Sequence, residues 1–68
     1  MKNPFFTKIN SYHIHVNYDS RNLVFSRKSR RLPKVDDEYI VFFDGKYRIL
    51  RAKKILKERN LKVIAEIE

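Results

Sequence analysis

The sequence contains no cysteine, no tryptophan and no glutamine, and it has only one glycine and two prolines among 68 residues. Without cysteine there is no disulfide framework, no thiolate metal site and no thiol nucleophile, so packing alone must hold the fold together. This makes a secreted miniprotein a poor interpretation. A chain of this length buries about 60% of its unfolded surface, which leaves room for one thin core. We therefore expect a single small domain over residues 1–68.

Long hydrophobic runs are also missing. The longest uncharged apolar run, residues 39–43, is too short to cross a bilayer, and the N-terminus lacks the apolar region of a signal peptide. We therefore expect no membrane partner and a soluble, cytoplasmic protein. Because 43% of the residues are hydrophobic, the chain is too apolar to be a disordered basic tail and should fold.

Acidic residues are scarce, with 8 Asp and Glu against 16 Lys and Arg and a net charge of +8. The excess is local, because residues 1–35 hold eight basic side chains and one acidic one, whereas residues 36–68 hold eight and seven. Its densest part is residues 27–34, which could simply be a solvated loop. A basic patch of this kind also attracts polyanions by releasing their condensed counterions. The residues that we expect to contact nucleic acid are Arg27, Lys28, Arg30, Arg31, Lys34 and Arg51.

The first half of the chain carries the pattern of β-structure. Apolar and polar residues alternate from Tyr12 to Tyr18, which is typical of a half-buried strand, and turn residues and a second apolar run follow. Residues 12–26 are therefore predicted to form an antiparallel hairpin. The segment from Pro4 to Ile9 is interpreted as an extended arm or a first strand. Residues 39–43 are continuously apolar, which predicts a central strand covered on both faces.

Two structures compete after that strand, because Asp44-Gly45 is a hairpin signal and Asp is also a good helix N-cap. The alternation of a strand fails at Arg51 and Lys53, whereas the apolar residues from 49 to 56 gather on one helical face. We therefore predict a helix over about 45–58 and a strand over 61–67. The helix would be a right-handed crossover, which pairs this strand in parallel with the strand over 39–43. The predicted fold is α+β, a small mixed sheet with an N-terminal β-hairpin and a strand-helix-strand C-terminal half.

A strand that ends at Asp44 and enters a helix through Gly45 would present free backbone N–H groups and the positive end of the helix dipole. Glycine allows close approach of an anion, and Arg48, one turn into the helix, could bind a phosphate in bidentate fashion. The alternative is that Arg48 forms a structural ion pair with a nearby carboxylate. The predicted phosphate or nucleotide site consists of Gly45, Lys46, Tyr47 and Arg48.

Residues 39–56 followed by 63–67 resemble the core of the ParB/sulfiredoxin-like superfamily, which has a strand, a Gly-x-x-Arg turn, an Ala-containing helix and a final strand. The resemblance implies that Gly45 and Arg48 hold nucleotide phosphates, those of CTP in partition proteins and of ATP in sulfiredoxins. The sulfiredoxin catalytic cysteine would fall at Lys46, which excludes reductase chemistry. The family's usual histidine is Tyr47 here, which weakens a kinase or hydrolase assignment. No helix-turn-helix follows, so the resemblance implies a pared-down version of plasmid, phage or viral origin.

Other groups of residues suggest weaker sites. His13 and His15 point to one face of a strand and could bind a metal, but they lack an obvious third ligand, so a solvent-facing or phosphate-contacting pair is favoured. Residues 36–38 could hold a divalent ion, although a polar turn is the better interpretation. Four aromatic residues could stack on bases, but alternate aromatics on strands usually belong to the core: Tyr12, Tyr18, Phe25 and Tyr47.

Three functions follow in order of preference. The first is a small, basic nucleic-acid or nucleotide-binding protein that binds largely without sequence specificity. The second is a plasmid- or phage-type protein-interaction module that inhibits an acidic host protein through the same basic loop. The third is a residual nuclease or nucleotide hydrolase, which is least favoured because no complete catalytic set is visible. A nucleotide is the one cofactor that these interpretations include, and a homodimer would cover apolar surface that one thin core leaves exposed.

Overall fold

The computed structural model of the chain describes residues 8–68, so the segment predicted from Pro4 to Ile9 lies largely outside the described residues. Five strands form one mixed sheet. In chain order they are β1 (Asn10–Tyr18), β2 (Arg21–Ser29), β3 (Glu38–Phe43), β4 (Lys46–Lys57) and β5 (Leu61–Ile67). The part of the chain that the structure describes contains no helix, and hence none that could span a membrane.

The sheet has the strand order β2-β1-β5-β4-β3. β1 and β5 are parallel neighbours, and every other neighbouring pair is antiparallel. The predicted hairpin over 12–26 and the predicted strands over 39–43 and 61–67 are therefore present. The α+β fold class is wrong, because the segment predicted as a helix is the twelve-residue strand β4. The predicted parallel crossover between β3 and β5 is wrong for the same reason.

Two tight turns set the register of the hairpins. Asp44 and Gly45 have φ values of 53° and 83°, and Asp19 and Ser20 have 52° and 62°. Positive φ at both central residues is the backbone of a type I′ turn, whose twist matches that of the two strands it joins. The Asp-Gly signal therefore indicates a hairpin here, and Gly45 supplies the left-handed conformation that a side chain resists.

A β-bulge in β4 explains why its sequence resembles a helix. Ala52 pairs with Ala65 and Lys54 pairs with Ile64, so Lys53 is an extra residue opposite β5. An extra residue reverses the alternation of side chains along a strand. Leu50 and Ala52 point to the core before the bulge and Ile55 packs against it afterwards, a spacing that also fits one face of a helix.

One core fills the concave side of the sheet. Its buried members come from all strands except β2, and partly buried residues such as Phe25 pack against them. Ile14, Leu50, Val16 and Val63 are the largest fully buried side chains. The sheet curls so far that side chains of the two edge strands meet: the rings of Phe25 on β2 and Phe43 on β3 are 5.7 Å apart between centroids.

Strand β3 has the predicted residues but not the predicted position. It lies at the edge of the sheet and pairs only with β4. Val41 is buried, whereas Ile40 and Phe42, on the opposite face, are 67% and 58% exposed. The continuous apolar run therefore belongs to an edge strand with one open face, not to a central strand covered on both faces.

Candidate nucleic-acid interface

The turn predicted to bind phosphate is a hairpin turn. Gly45 is followed by a strand, so the N–H groups of residues 45–47 do not form a helix N-terminus and no helix dipole points at them. The anion site argued from a helix terminus therefore has a wrong structural premise. Phosphate binding at Gly45, Lys46, Tyr47 and Arg48 stays a prediction, without the backbone cradle on which it was based.

Arg48 lies inside the curled sheet. Its guanidinium carbon is 4.8 Å from the centre of the Tyr18 ring and 4.7 Å from that of Phe43. It donates to the Tyr18 hydroxyl at 3.3 Å and to the Phe43 carbonyl at 3.4 Å, and it pairs with the Asp44 carboxylate at 3.6 Å. With 14% of its side chain exposed, Arg48 joins the ends of β1, β3 and β4. These contacts favour the structural ion pair that the sequence left open.

Arg51 is also engaged by protein groups. On β4 it lies between the neighbouring strands and donates to the Glu38 carboxylate at 2.8 Å and to the Glu68 carboxylate. The hydrogen bond from Arg51 lowers the pKa of Glu68. A phosphate would have to compete with two carboxylates for this guanidinium, so Arg51 adds little to a polyanion surface.

The basic loop predicted over residues 27–34 is a loop only from Arg30 onwards, because residues 27–29 are the end of strand β2. Arg27 points to the concave side and donates to the backbone carbonyl of Ile40 at 2.9 Å, which bridges the two edge strands. The loop chain turns back at Lys34, whose backbone N–H donates to the Asp37 carboxylate at 2.9 Å. Lys28, Arg30 and Arg31 are exposed. The loop thus keeps exposed cations, although Asp37 lies closer to it than the sequence suggested.

A groove of about 390 Å³ separates this loop from the start of β3. Arg27 and Arg31 line one wall, and Asp37 and Glu38 line the other. The Tyr12 hydroxyl donates to that of Tyr39 at 3.3 Å in the groove. Burial raises the pKa of Tyr39, and the hydrogen bond with Tyr12 raises it further. Opposite charges on facing walls make this groove a poor site for a polyanion.

The convex face of the sheet carries a second basic surface. His13 on β1 pairs with Lys62 on the neighbouring strand β5, and Lys54 on β4 pairs with Ile64, two residues further along β5. Lys28 on β2 pairs with Ser11, two residues before His13. Strand spacing puts the Cα atoms of Lys54 and Lys62 about 8 Å apart and those of Lys62 and Lys28 about 12 Å apart. We call Lys28, Lys54 and Lys62, together with the exposed Arg30 that follows β2 two residues after Lys28, the convex basic band.

The two histidines lie within this band. His13 and His15 share the convex face, as predicted, because the alternate residues Tyr12, Ile14 and Val16 are buried on the other side. Burial lowers the pKa of His15, and the positive charges of Lys62 and His13 lower it further. The imidazole of His15 therefore lies close enough to Lys62 and His13 for their charges to act on it. Among residues 8–68 no group of three or more His, Asp or Glu side chains could hold a metal ion.

The aromatic candidates separate clearly. Tyr12 is 5% exposed, and Phe25 and Tyr18 pack against Phe43, so these three belong to the core and its margin. Tyr47 is 75% exposed on the convex face. It is the member of the predicted set that is open to a ligand.

Lys54 and Lys62 are the site residues that sequence reasoning missed. The signal was present for Lys62, which alternates with Leu61 and Val63 in a predicted strand. It was absent for Lys54, because this residue was predicted to lie in a helix and no sequence pattern predicts the β-bulge. No family model, curated protein or solved structure matches this chain. Membership of the ParB/sulfiredoxin-like superfamily therefore stays a prediction, and the helix that it implies is not present.

Proposed function

We propose that this protein binds nucleic acid through its phosphate backbone, largely without reading sequence, on the convex basic band. The observation that supports this most strongly is the composition of one continuous surface across four strands. Lys28, Lys54 and Lys62 lie on it beside His13 and His15, and Glu66, two residues after the Lys54 partner Ile64, is the carboxylate at its margin. Cations that outnumber the carboxylates around them release counterions from a polyanion when they bind it.

The number of phosphate contacts sets the salt dependence of binding. If all four cations of the band contact phosphates, the logarithm of the affinity for duplex DNA should fall with the logarithm of salt concentration with a slope of about −3.6. The affinity should then drop about 150-fold between about 50 and 200 mM salt. A single strand should give a slope of about −2.8.

The test is a salt titration of binding to a fluorescein-labelled duplex of roughly 20 base pairs, followed by anisotropy. The double variant Lys54→Ala/Lys62→Ala should reduce the slope to about −1.8. The matched control is Arg21→Ala/Lys57→Ala, which removes the same charge from two exposed residues whose strand partners, Tyr18 and Leu61, lie on the concave side of the sheet. Its slope should equal that of the unchanged protein. Equal loss in both double variants would mean that only net charge matters, and would refute the band as the site.

The protein-interaction alternative uses the same surface and predicts a different competitor. A polyglutamate peptide carries negative charge without the regular phosphate spacing of a nucleic acid. If nucleic acid is the ligand, an unlabelled duplex should displace the labelled one at far lower charge concentration than polyglutamate does. Equal competition by the two polymers would favour an acidic protein partner.

A further inference from the structure

The convex face also carries an apolar patch at the β3–β4 hairpin. Ile40 pairs with Ile49 and Phe42 pairs with Tyr47 across the two strands. The four side chains are 67%, 44%, 58% and 75% exposed in that order, and the two aromatic rings pack edge to face with centroids 4.9 Å apart. Full-sized aliphatic and aromatic side chains at these exposures offer about 400–500 Å² of contiguous apolar surface, which marks a functional patch rather than scattered exposure.

Charged groups beside the patch are mostly acidic. Glu38 and Arg51 form the next pair along the same face, and Glu66 pairs with Arg51 on the far side. The Glu68 carboxylate also binds Arg51. This row carries three carboxylates and one guanidinium, in a protein whose net charge is +8. An acidic margin repels a nucleic acid backbone, so a base-stacking role for Phe42 and Tyr47 is disfavoured.

We propose that this patch, Ile40, Ile49, Phe42 and Tyr47, is the interface of a two-fold symmetric dimer of this chain. Along the hairpin the convex face shows three successive rows, which are aromatic (Phe42/Tyr47), aliphatic (Ile40/Ile49) and charged (Glu38/Arg51). A two-fold axis along the aliphatic row places that row on itself and the aromatic row of each copy on the charged row of the other. Such self-complementarity is what an isologous interface requires.

Two contacts join the aromatic and charged rows across this axis, because Tyr47 of one copy faces Arg51 of the other and Phe42 faces Glu38. Tyr47 and Arg51 both lie on β4, so the Tyr47 ring of one copy would meet the Arg51 guanidinium of the other as a cation–π pair, twice by symmetry. Arg51 keeps its ion pairs with Glu38 and Glu68 in such a dimer, so its guanidinium is not buried without a partner.

The buried area predicts a weak dimer. A stable interface buries about 800 Å² on each partner, and the apolar patch supplies roughly half of that before the charged row is included. We therefore expect a weak dimer, with a dissociation constant in the micromolar range or above. Sedimentation of the unchanged chain without nucleic acid, from about 1 to about 500 µM, should show a monomer converting to a dimer.

A charge-swap experiment tests the symmetry. Because Ile40 would face its own copy, Ile40→Glu and Ile40→Lys should each weaken the dimer at least about 100-fold, and an equimolar mixture of the two variants should form a heterodimer. Val24→Glu is the control, since Val24 is also an exposed apolar residue but lies on β2. It should leave dimerisation unchanged, and thermal unfolding of every variant should show that the fold is kept.

Three results would overturn the proposal. They are a chain that stays monomeric over the whole concentration range, an Ile40→Glu variant that dimerises normally, and a mixture that fails to associate. If the chain is monomeric and Tyr47→Ala instead weakens binding of a single-stranded oligonucleotide, the patch is a base-stacking platform. The experiments contain no nucleic acid except in that last arm, so their failure is separate from any failure of the convex basic band.

Discussion

Substitution of Arg48 can distinguish a structural role for this residue from a ligand-binding role. Its guanidinium lies 4.8 Å and 4.7 Å from two aromatic ring centres and pairs with Asp44 at the rim. Two partly desolvated cation–π contacts, an exposed ion pair and the packing of the aliphatic stem contribute about 2–3 kcal/mol together. A domain of this size has a total stability of only about 3–10 kcal/mol, so Arg48→Ala should remove a large part of it.

Urea denaturation at neutral pH measures this loss as a lower midpoint with an unchanged slope. Arg48→Lys keeps the charge but loses the planar group that stacks on the rings, so about 1 kcal/mol should be lost. Arg21→Ala is the control, because Arg21 is exposed at the same end of the sheet, and its effect should stay within about 0.5 kcal/mol. If Arg48→Ala changes the stability no more than Arg21→Ala but weakens nucleotide binding, Arg48 is a ligand-binding residue and the structural reasoning is refuted.

Three further predictions concern the turns, the core and the histidines. Gly45→Ala should lower the unfolding free energy by about 1–2 kcal/mol because φ is +83°, although nothing lies within 4 Å of the added Cβ. Ser20→Gly should raise the unfolding free energy by about 1 kcal/mol, because Ser20 also has a positive φ. Urea denaturation should therefore show changes of opposite sign in the unfolding free energy of the two variants. Leu50→Ala removes a fully buried side chain and should cost about 2–5 kcal/mol, seen as a loss of the folded circular dichroism signal near body temperature. The pKa of His15 is lower in the folded, ligand-free protein than in the unfolded chain. Its contribution to stability is therefore fully present above the unfolded-state pKa and is lost as the pH falls through the folded-state pKa. Phosphate binding should raise that pKa, so the affinity for an oligonucleotide should increase as the pH is lowered from about 7.5 to about 6. If an NMR titration of the imidazole shows the same pKa with and without oligonucleotide, the convex basic band is not the binding site.

The strands of this fold could be predicted wherever alternation is regular. Tyr12, Ile14 and Val16 alternate with polar residues, and their burial in β1 follows from that pattern. β5 was predictable for the same reason. The edge position of β3 was not, because a run of five apolar residues fits a covered strand as well as one with an open apolar face.

The candidate site was predictable only in part. The exposed cations Lys28, Arg30 and Arg31 follow from charge density along the chain. Charge density could not show that Arg27 turns inward to the Ile40 carbonyl or that Arg51 is held by Glu38 and Glu68. Those contacts join strands that are far apart in sequence, and only the order of strands in the sheet brings them together.

The β-bulge at Lys53 explains both why a helix was wrongly predicted for β4 and why Lys54 was not predicted as part of the site. On β4 the residues 48, 50 and 52 point to the concave side, so strict alternation would send Lys54 into the core and Ile55 to solvent. With one extra residue, Lys54 reaches the convex face opposite Ile64 and Ile55 packs against the core. Burying an unpaired ammonium would cost far more than the local loss of ladder pairing, so the bulge satisfies both side chains. The irregularity that gives β4 the spacing of a helix is thus the same one that places Lys54 beside Lys62.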